Sequence, residues 1–131
     1  MLAVDTNVLV RVLVDDPGAF DQCRTAREAV SAAGKVFVSQ AVQVETAWVL
    51  VRAYGLSKKR LQEVFGAIAD HPAFEMQRRD VFLSALQTYL TCSADFADCL
   101  ILTESTLAGH ELATFDRKLG KLAGARLLAP S

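Results

Sequence analysis

Four carboxylate side chains stand out from the other acidic residues by their positions: Asp5, Glu45, Asp98 and Asp116. If such groups lie together, each pair of unit charges about 4 Å apart repels by on the order of 4 kcal/mol at an effective dielectric near 20. A cluster of this kind needs a counter-ion, and oxygen ligands suit Mg²⁺ or Mn²⁺ rather than zinc. A carboxylate-held Mg²⁺ lowers the pKa of bound water and holds a phosphodiester, so the four acids indicate metal-dependent phosphate chemistry.

Three acids also have an ordinary structural explanation. Asp5 and Asp116 each precede a predicted helix, where an aspartate serves as the N-cap. Asp95 lies in a predicted first helical turn, where a negative charge complements the helix dipole. Asp98, three residues later, is surrounded by apolar residues, and this explanation fits it less well. Taken singly, the acids leave both interpretations open, and only their combination indicates a site.

Glu45 lies within a strongly apolar predicted helix. At about 100° per residue it shares a face with Ala41, Trp48 and Val49, away from Gln43. A charged group on an apolar face is costly unless it is paired. Glu45 therefore either belongs to a site or lies at the edge of this face and reaches water, and the pattern alone does not decide.

The elements that must position these acids alternate between strands and helices. Strands are predicted at 2–4, 36–38, 74–77, 111–114 and 125–129. Helices are predicted at 7–14, 19–33, 40–54, 58–70, 81–90, 94–107 and 117–122, with Ser39, Ser57, Asp80 and Ser93 as N-caps. This order favours an α/β fold with a mostly parallel sheet of four to five strands, right-handed crossovers and helices on both faces.

Three of the four acids are expected at one end of this sheet. Asp5 and Asp116 follow predicted strands, and Glu45 lies in the first turns of a helix fed by a strand. In open parallel sheets, ligands bind beyond the carboxyl ends of the strands. No strand directly precedes the helix of Asp98, so its placement there does not follow from the element order.

Composition limits the remaining function classes. With 131 residues and 52% hydrophobic residues, the chain is expected to fold as a single domain over residues 1–131 rather than to be disordered. No membrane-spanning segment or secretory signal is predicted. Cys23, Cys92 and Cys99 are interpreted as reduced thiols of a cytoplasmic protein. His71 and His110 lack zinc-site spacing.

The charge of the chain gives no general attraction to nucleic acid, because 14 basic and 15 acidic residues leave a net charge of −1. Local basic patches occur at 58–60, 78–79 and 117–118, and each is more simply interpreted as solvated surface. Arg11, Arg52 and Arg117 are candidates for holding a phosphate, and nothing in the sequence selects among them.

Four segments together resemble the PIN domain, and more narrowly the VapC toxins of toxin–antitoxin pairs. They are Val4–Asn7 (VDTN), the isolated Glu45, Ala94–Ile101 (ADFADCLI) and Ala113–Asp116 (ATFD). Each segment alone is a weak signal, but their order and spacing cover nearly the whole chain. The resemblance implies a three-layer α/β/α PIN-like fold and a Mg²⁺- or Mn²⁺-dependent endoribonuclease.

The resemblance also assigns roles to residues and partners. It carries the acidic quartet over onto Asp5, Glu45, Asp98 and Asp116 as catalytic metal ligands. Supporting positions are Asp95, Thr6, Asn7, Ser39 and Thr114, which orient the carboxylates by hydrogen bonds. It further implies an RNA substrate, a cognate antitoxin that covers the active site, a homodimer, and action in the cytoplasm without a membrane.

Two other functions remain as alternatives. A receiver-like signalling module would place an acidic pair after the first strand and a phosphorylated aspartate after the third. Here a single Asp5 follows the first strand, and Gln77, Arg78 and Arg79 follow the third. A PIN fold retained only for partner binding, or one acting on DNA, is separated from a ribonuclease by offering both polymers to the protein.

Overall fold

The structure of residues 1–130 is a computed structural model, and it divides into two compact units. The first unit, called the N-terminal unit below, extends from Met1 to Arg79, and the second, the C-terminal unit, begins at Asp80. The expectation of a single domain over residues 1–131 stays a prediction. No helix within residues 1–130 is both long enough and apolar enough to cross a membrane.

The N-terminal unit consists of a small parallel sheet and four α-helices. Its strands are β1 (Leu2–Ala3), β2 (Val36–Val38) and β3 (Phe74–Met76). Its helices are α1 (Thr6–Leu13), α2 (Phe20–Ala33), α3 (Gln40–Arg52) and α4 (Lys58–Asp70), with a 3₁₀ turn at Pro17–Ala19. The strands pair in the order β1-β2-β3, with Leu2 opposite Val36 and Val36 opposite Phe74.

Strand β2 is the central strand of this sheet, and it confirms the strand predicted at 36–38. Val36 and Val38 are fully buried, as expected for an apolar run paired on both sides. The chain then enters α3 at Ser39, whose hydroxyl accepts a hydrogen bond from the Val42 amide at 3.3 Å. This confirms Ser39 as an N-cap, and the cap fixes where α3 begins.

The C-terminal unit carries α5 (Arg79–Leu90, which begins at the unit boundary), α6 (Phe96–Leu107), β4 (Leu112–Thr114), α7 (Arg117–Gly120) and β5 (Ala125–Leu127). Strands β4 and β5 form a second parallel sheet. All three strand pairings within residues 1–130 are thus parallel, which confirms the α/β class, and hydrogen bonding divides the five strands into sheets of three and two.

An aromatic cluster holds the start of α6. The buried Phe96 ring meets Phe82 edge to face at 5.7 Å and Tyr89 at 6.1 Å between ring centroids. Both partners lie on α5, so the cluster joins the two helices, and such edge contacts contribute about 1 kcal/mol each. Because Phe96 is the first residue of α6, this packing also fixes the acids that begin the helix.

Two predicted helix starts are wrong. Asp95, not Ser93, is the N-cap of α6, because its carboxylate is the group that accepts a hydrogen bond from the Asp98 amide. Asp80 lies inside the first turn of α5, which begins at Arg79, so it complements the helix dipole instead of capping the helix. Helix α3 ends at Arg52, two residues before the predicted end.

Candidate active site

Asp5 lies at the start of α1 in the N-terminal unit. Its backbone is extended, and its Oδ1 accepts a hydrogen bond from the Val8 amide at 2.9 Å, so it is the N-cap of this helix. Within residues 1–130 its second carboxylate oxygen has no protein partner. The cap therefore explains one oxygen of this exposed side chain and leaves the other available to a cation.

Glu45 lies beside the start of α1 although it belongs to α3. The Thr6 hydroxyl donates a hydrogen bond to its Oε1 at 3.2 Å. Thr6 directly follows Asp5, so the N-terminal unit brings these two acids to the same place. A supporting role was expected for Thr6, and this hydrogen bond gives that expectation a physical basis.

The face of α3 that carries Glu45 is exposed to solvent. Ala41 and Glu45 are exposed, and Trp48 keeps 62% of its surface accessible. The buried side of the helix instead carries Val42, Gln43, Thr46, Ala47 and Leu50. Glu45 therefore reaches water, and its membership of a site stays a prediction.

Gln43 is a structurally important residue that the sequence interpretation missed. Its side chain is 1% exposed, and its Nε2 donates to the carbonyls of Val38 at 3.2 Å and Gln77 at 3.0 Å. The Gln77 side chain in turn accepts a hydrogen bond from the Gln40 amide at 2.9 Å. These bonds tie the first turn of α3 to the ends of β2 and β3. A glutamine within an apolar helix was the only signal that pointed to it.

The C-terminal unit gathers three acids. Asp95 caps α6, and its Oδ1 accepts a hydrogen bond from the Asp98 amide at 2.8 Å. Burial, the charge of Asp95, a hydrogen bond with the Asp95 side chain and the charge of Asp116 together raise the pKa of Asp98 to about 6, and burial is the largest of these causes. Asp98 is therefore close enough to both acids to feel their repulsion, as expected for carboxylates that share one site.

Asp116 follows β4 and begins α7. Its Oδ1 accepts a hydrogen bond from the Leu119 amide at 2.9 Å, and its own amide donates to the Thr114 hydroxyl at 3.0 Å. Thr114 thus fixes the turn that presents this acid, which is consistent with its expected supporting role. The contact between α7 and β5 is close, since a Cβ on Gly120 would meet the Leu127 Cβ at 2.8 Å.

The remaining supporting residues have simpler roles. Ser39 caps α3 and, among residues 1–130, its side chain makes no hydrogen bond to a carboxylate of the quartet. Asn7 is exposed and, within residues 1–130, makes no side-chain hydrogen bond. It lines a small cavity between α1 and α3 together with Thr6, Arg11 and Tyr54.

The three candidate phosphate-binding arginines differ in their surroundings. Arg11 is already occupied: its Nε donates to Gln22 at 2.8 Å and its NH1 to the Tyr54 hydroxyl at 2.9 Å, which donates to Asp16 at 2.8 Å. Arg52 and Arg117 are exposed and, in the described part of the chain, make no ion pair or hydrogen bond through their side chains. Of the three candidates, Arg52 and Arg117 therefore remain available for a phosphate.

The acids of each unit carry donor atoms of the kind that a hard divalent cation prefers. Within residues 1–130, no group of three or more His, Cys, Asp or Glu side chains has the geometry of a formed metal site. The acids nevertheless offer only carboxylate oxygens, and the repulsion from Asp95 and Asp116, which adds to burial in raising the pKa of Asp98, is the kind that a bound cation relieves. Nitrogen and sulfur ligands, which zinc prefers, are not part of this set.

Two comparisons with known proteins identify a family and a relative to which the chain is similar. The PIN domain family matches the chain over residues 2–125. A VapC ribonuclease of Aquifex aeolicus (strain VF5) is 26% identical over 124 residues, which are 93% of this chain and 92% of that protein. Neither comparison supports a receiver-like module.

Proposed function

The chain belongs to the PIN domain family, and on this basis we propose that it is a metal-dependent endoribonuclease, the toxin of a type II toxin–antitoxin pair. The crowding of Asp98 by Asp95 and Asp116 supports the proposal most directly. Three carboxylates without a countercharge are unfavourable unless a cation or a proton joins them. The similarity to a VapC ribonuclease supports RNA as the polymer that is cut.

Four acids are the proposed metal ligands: Asp5, Glu45, Asp98 and Asp116. When bound, Mg²⁺ or Mn²⁺ would lower the pKa of water and offset the negative charge of the phosphate. Asp5 and Asp116 each use one carboxylate oxygen as a helix cap, which holds the other in a fixed direction. Asp95 assists by holding the first turn of α6, from which Asp98 projects.

Glu45 is the proposed acceptor of the proton from the attacking water. It is exposed, and its Oε1 is held by the Thr6 hydroxyl, so its other oxygen is open to solvent. A carboxylate that is fixed by one hydrogen bond and open on its other side can both hold a water and take its proton. Hydrolysis then breaks the phosphodiester bond, and the leaving oxygen takes up a proton from solvent.

The proposed partners follow from the same family. We infer that a cognate antitoxin inhibits the protein, that two copies form a homodimer, and that the protein acts on RNA in the cytoplasm. The antitoxin proposal is tested by co-purification of the protein encoded beside this gene, and the dimer by sedimentation at several protein concentrations. Absence of both associations would leave the nuclease proposal intact and remove the toxin assignment.

Cleavage of total cellular RNA by the purified, antitoxin-free protein tests the nuclease proposal. We expect cleavage with Mg²⁺ or Mn²⁺, none with a chelator, and about 10³-fold less for Asp98→Asn. The matched control is Glu104→Gln, an exposed acid on the same helix, which should cut like the wild type. Cleavage that survives in Asp98→Asn would contradict the site, and single-stranded DNA offered in parallel decides between the two polymers.

A further inference from the structure

Trp48 is exposed to solvent beside a proposed metal ligand. It lies one helical turn after Glu45 on α3 and keeps 62% of its surface accessible. In the described part of the chain its ring stacks on no other group. Burying an indole stabilises a fold by about 2 kcal/mol or more, so a tryptophan left in water has no folding role to explain it.

Arg52 follows Trp48 by four residues on the same face of α3. A rise of about 1.5 Å per residue places Arg52 about 6 Å beyond Trp48, and Glu45 about 4.5 Å before it, along the helix axis. The guanidinium is exposed and has no partner among residues 1–130. This face therefore presents an acid, an aromatic ring and a cation in that order.

The C-terminal unit has the same three kinds of side chain at Asp116, namely an acid, an aromatic ring and a cation. Phe115, directly before this acid, is 69% exposed, and its ring has no aromatic or cationic partner within residues 1–130. Arg117, directly after the acid, is exposed and likewise unpaired in the described chain. In both units an available ring and an available guanidinium thus lie beside a proposed metal ligand.

A protein partner fits these two places less well than a nucleotide does. The core of a protein interface is depleted of charge and belongs to a continuous apolar patch. Trp48 instead lies between Glu45 and Arg52 along α3, and Phe115 is followed directly by Asp116 and Arg117. A nucleotide of single-stranded RNA combines a flat base that stacks on an aromatic ring with a phosphate that pairs with a guanidinium.

We propose that Trp48 with Arg52, and Phe115 with Arg117, are two RNA-binding pairs that hold nucleotides next to the scissile phosphate. The proposal rests on the proposed ribonuclease function and adds the residues that bind the substrate. It also explains how a chain with a net charge of −1 binds RNA, since stacking on the two rings replaces a broad basic surface.

The affinity for RNA should accordingly depend weakly on salt. Two phosphate contacts to a single strand give a slope of log K against log[salt] of about −1.4, from about −0.7 for each contact. A protein that binds through a basic surface with six or more contacts would have a slope near −4 or steeper. A slope of that size would overturn the proposal.

Binding of single-stranded RNA to the full-length protein with a chelator present tests the proposal without turnover. The probe is a pool of random-sequence decanucleotide RNA with a 5′ fluorescein, followed by anisotropy. We expect Trp48→Ala and Phe115→Ala each to weaken binding about 10-fold, the effect of losing one stacked base. Trp48→Phe should recover most of the affinity because it keeps a ring.

Phe20→Ala is the matched control. Phe20 is 66% exposed on α2, and the Arg24 guanidinium already covers its ring at 6.0 Å. It lies beside none of the proposed metal ligands in the sequence, so its removal should leave RNA binding unchanged. Equal loss in Phe20→Ala would mean that exposed aromatic surface in general, and not the two pairs, binds RNA.

Trp48 is the only tryptophan of the chain, so intrinsic fluorescence reports on this ring alone. Saturable quenching by RNA, lost in Arg52→Ala at the same RNA concentration, is the result that the proposal predicts. In the cleavage assay, the ring variants should raise KM with little change in kcat.

Three results would overturn the proposal, and they differ from a failure of the nuclease assignment. If Trp48→Ala and Phe115→Ala both bind and cut RNA like the wild type, the two RNA-binding pairs are wrong and the nuclease assignment stands. A change from dimer to monomer in Trp48→Ala, with RNA affinity unchanged, makes Trp48 a contact with a second copy. Wild-type protein that neither binds nor cuts RNA removes the proposed function together with the inference.

Discussion

The two units hold their acids in different ways. In the N-terminal unit, Glu45 is exposed and accepts a hydrogen bond from Thr6, a residue of another helix. In the C-terminal unit, Asp98 is half-buried, and burial together with the charges of two further acids, Asp95 and Asp116, raises its pKa. The first arrangement fixes a carboxylate in a direction, whereas the second accumulates negative charge. Stability and activity should therefore respond differently when the acids of the two units are changed.

The helix caps are the feature that both units share. Asp5, Asp95 and Asp116 each accept a hydrogen bond from a backbone amide of the helix that they begin. An N-cap is worth about 1 kcal/mol, and asparagine serves as well as aspartate. Substitution by asparagine thus removes the charge of a capping acid while the helix keeps its start, which separates catalysis from folding.

The largest effect is expected when one unit loses a ligand. Asp5→Asn in the N-terminal unit and Asp98→Asn in the C-terminal unit should each reduce RNA cleavage by about 10³-fold, because several kcal/mol of metal-assisted stabilisation is lost. Far-ultraviolet circular dichroism should stay that of the wild type. Full activity in Asp5→Asn alone would show that the C-terminal unit suffices and that the comparison between the units is wrong.

The next largest effect concerns the part of the N-terminal unit that positions Glu45. Gln43→Leu removes the Nε2 donor, which leaves the Gln77 carbonyl without its donor and weakens the tie to Val38. We expect a loss of about 2 kcal/mol in the free energy of unfolding, measured in urea. The control is Gln87→Leu, an exposed glutamine on α5, and an equal loss there would contradict the assigned role.

A smaller effect is expected when Glu45 loses the hydrogen bond that orients its side chain. Thr6→Val keeps the shape of the side chain but removes the hydroxyl that donates to Glu45. Cleavage should fall about 10-fold, the lower end of what the loss of an orienting partner costs at a metal site. Thr6→Ser restores the donor and should restore activity, and equal loss in both variants would mean that the methyl group matters and not the hydrogen bond.

The smallest effect is a pH dependence confined to the C-terminal unit. The pKa of Asp98 rises from 3.8 to about 6 because of burial, Asp95 and Asp116. Between these values the folded metal-free protein binds a proton that the unfolded chain has lost, so stability should fall as the pH rises through this window. We expect a decrease of a few degrees in the melting temperature, which Asp98→Asn should reduce. A melting temperature that rises over this pH range in the wild type, but not in Asp98→Asn, would contradict a raised pKa of Asp98.

Local signals in the sequence were enough to predict most of the elements. The strand at 36–38, the N-caps Ser39 and Ser57, and the helix end at residue 33, directly before Gly34 with a φ of +77°, all match the structure. Each depends on residues close in sequence, such as a hydroxyl before a helix. The start of α6 was placed wrongly because Ser93 and Asp95 are both good caps, and only the backbone geometry decides between them.

The candidate site was harder to predict, because its properties depend on neighbours distant in sequence. Helix α3 is apolar on nearly all sides, so periodicity did not reveal that Gln43 faces inward and Trp48 outward. The raised pKa of Asp98 depends in part on Asp116, which no local pattern near Asp98 contains. The four acids stood out by their positions in the sequence, the placement of Asp98 among them depended on the family resemblance, and their joint role stays a prediction.

Binding of Mn²⁺, followed by the electron paramagnetic resonance of the free ion, tests most directly whether both units supply ligands. The wild-type protein should bind Mn²⁺, and Asp5→Asn and Asp98→Asn should each weaken binding at least about 10-fold while Glu104→Gln leaves it unchanged. Equal Mn²⁺ affinity in the wild type and either aspartate variant would contradict the proposal that the acids of both units hold the metal.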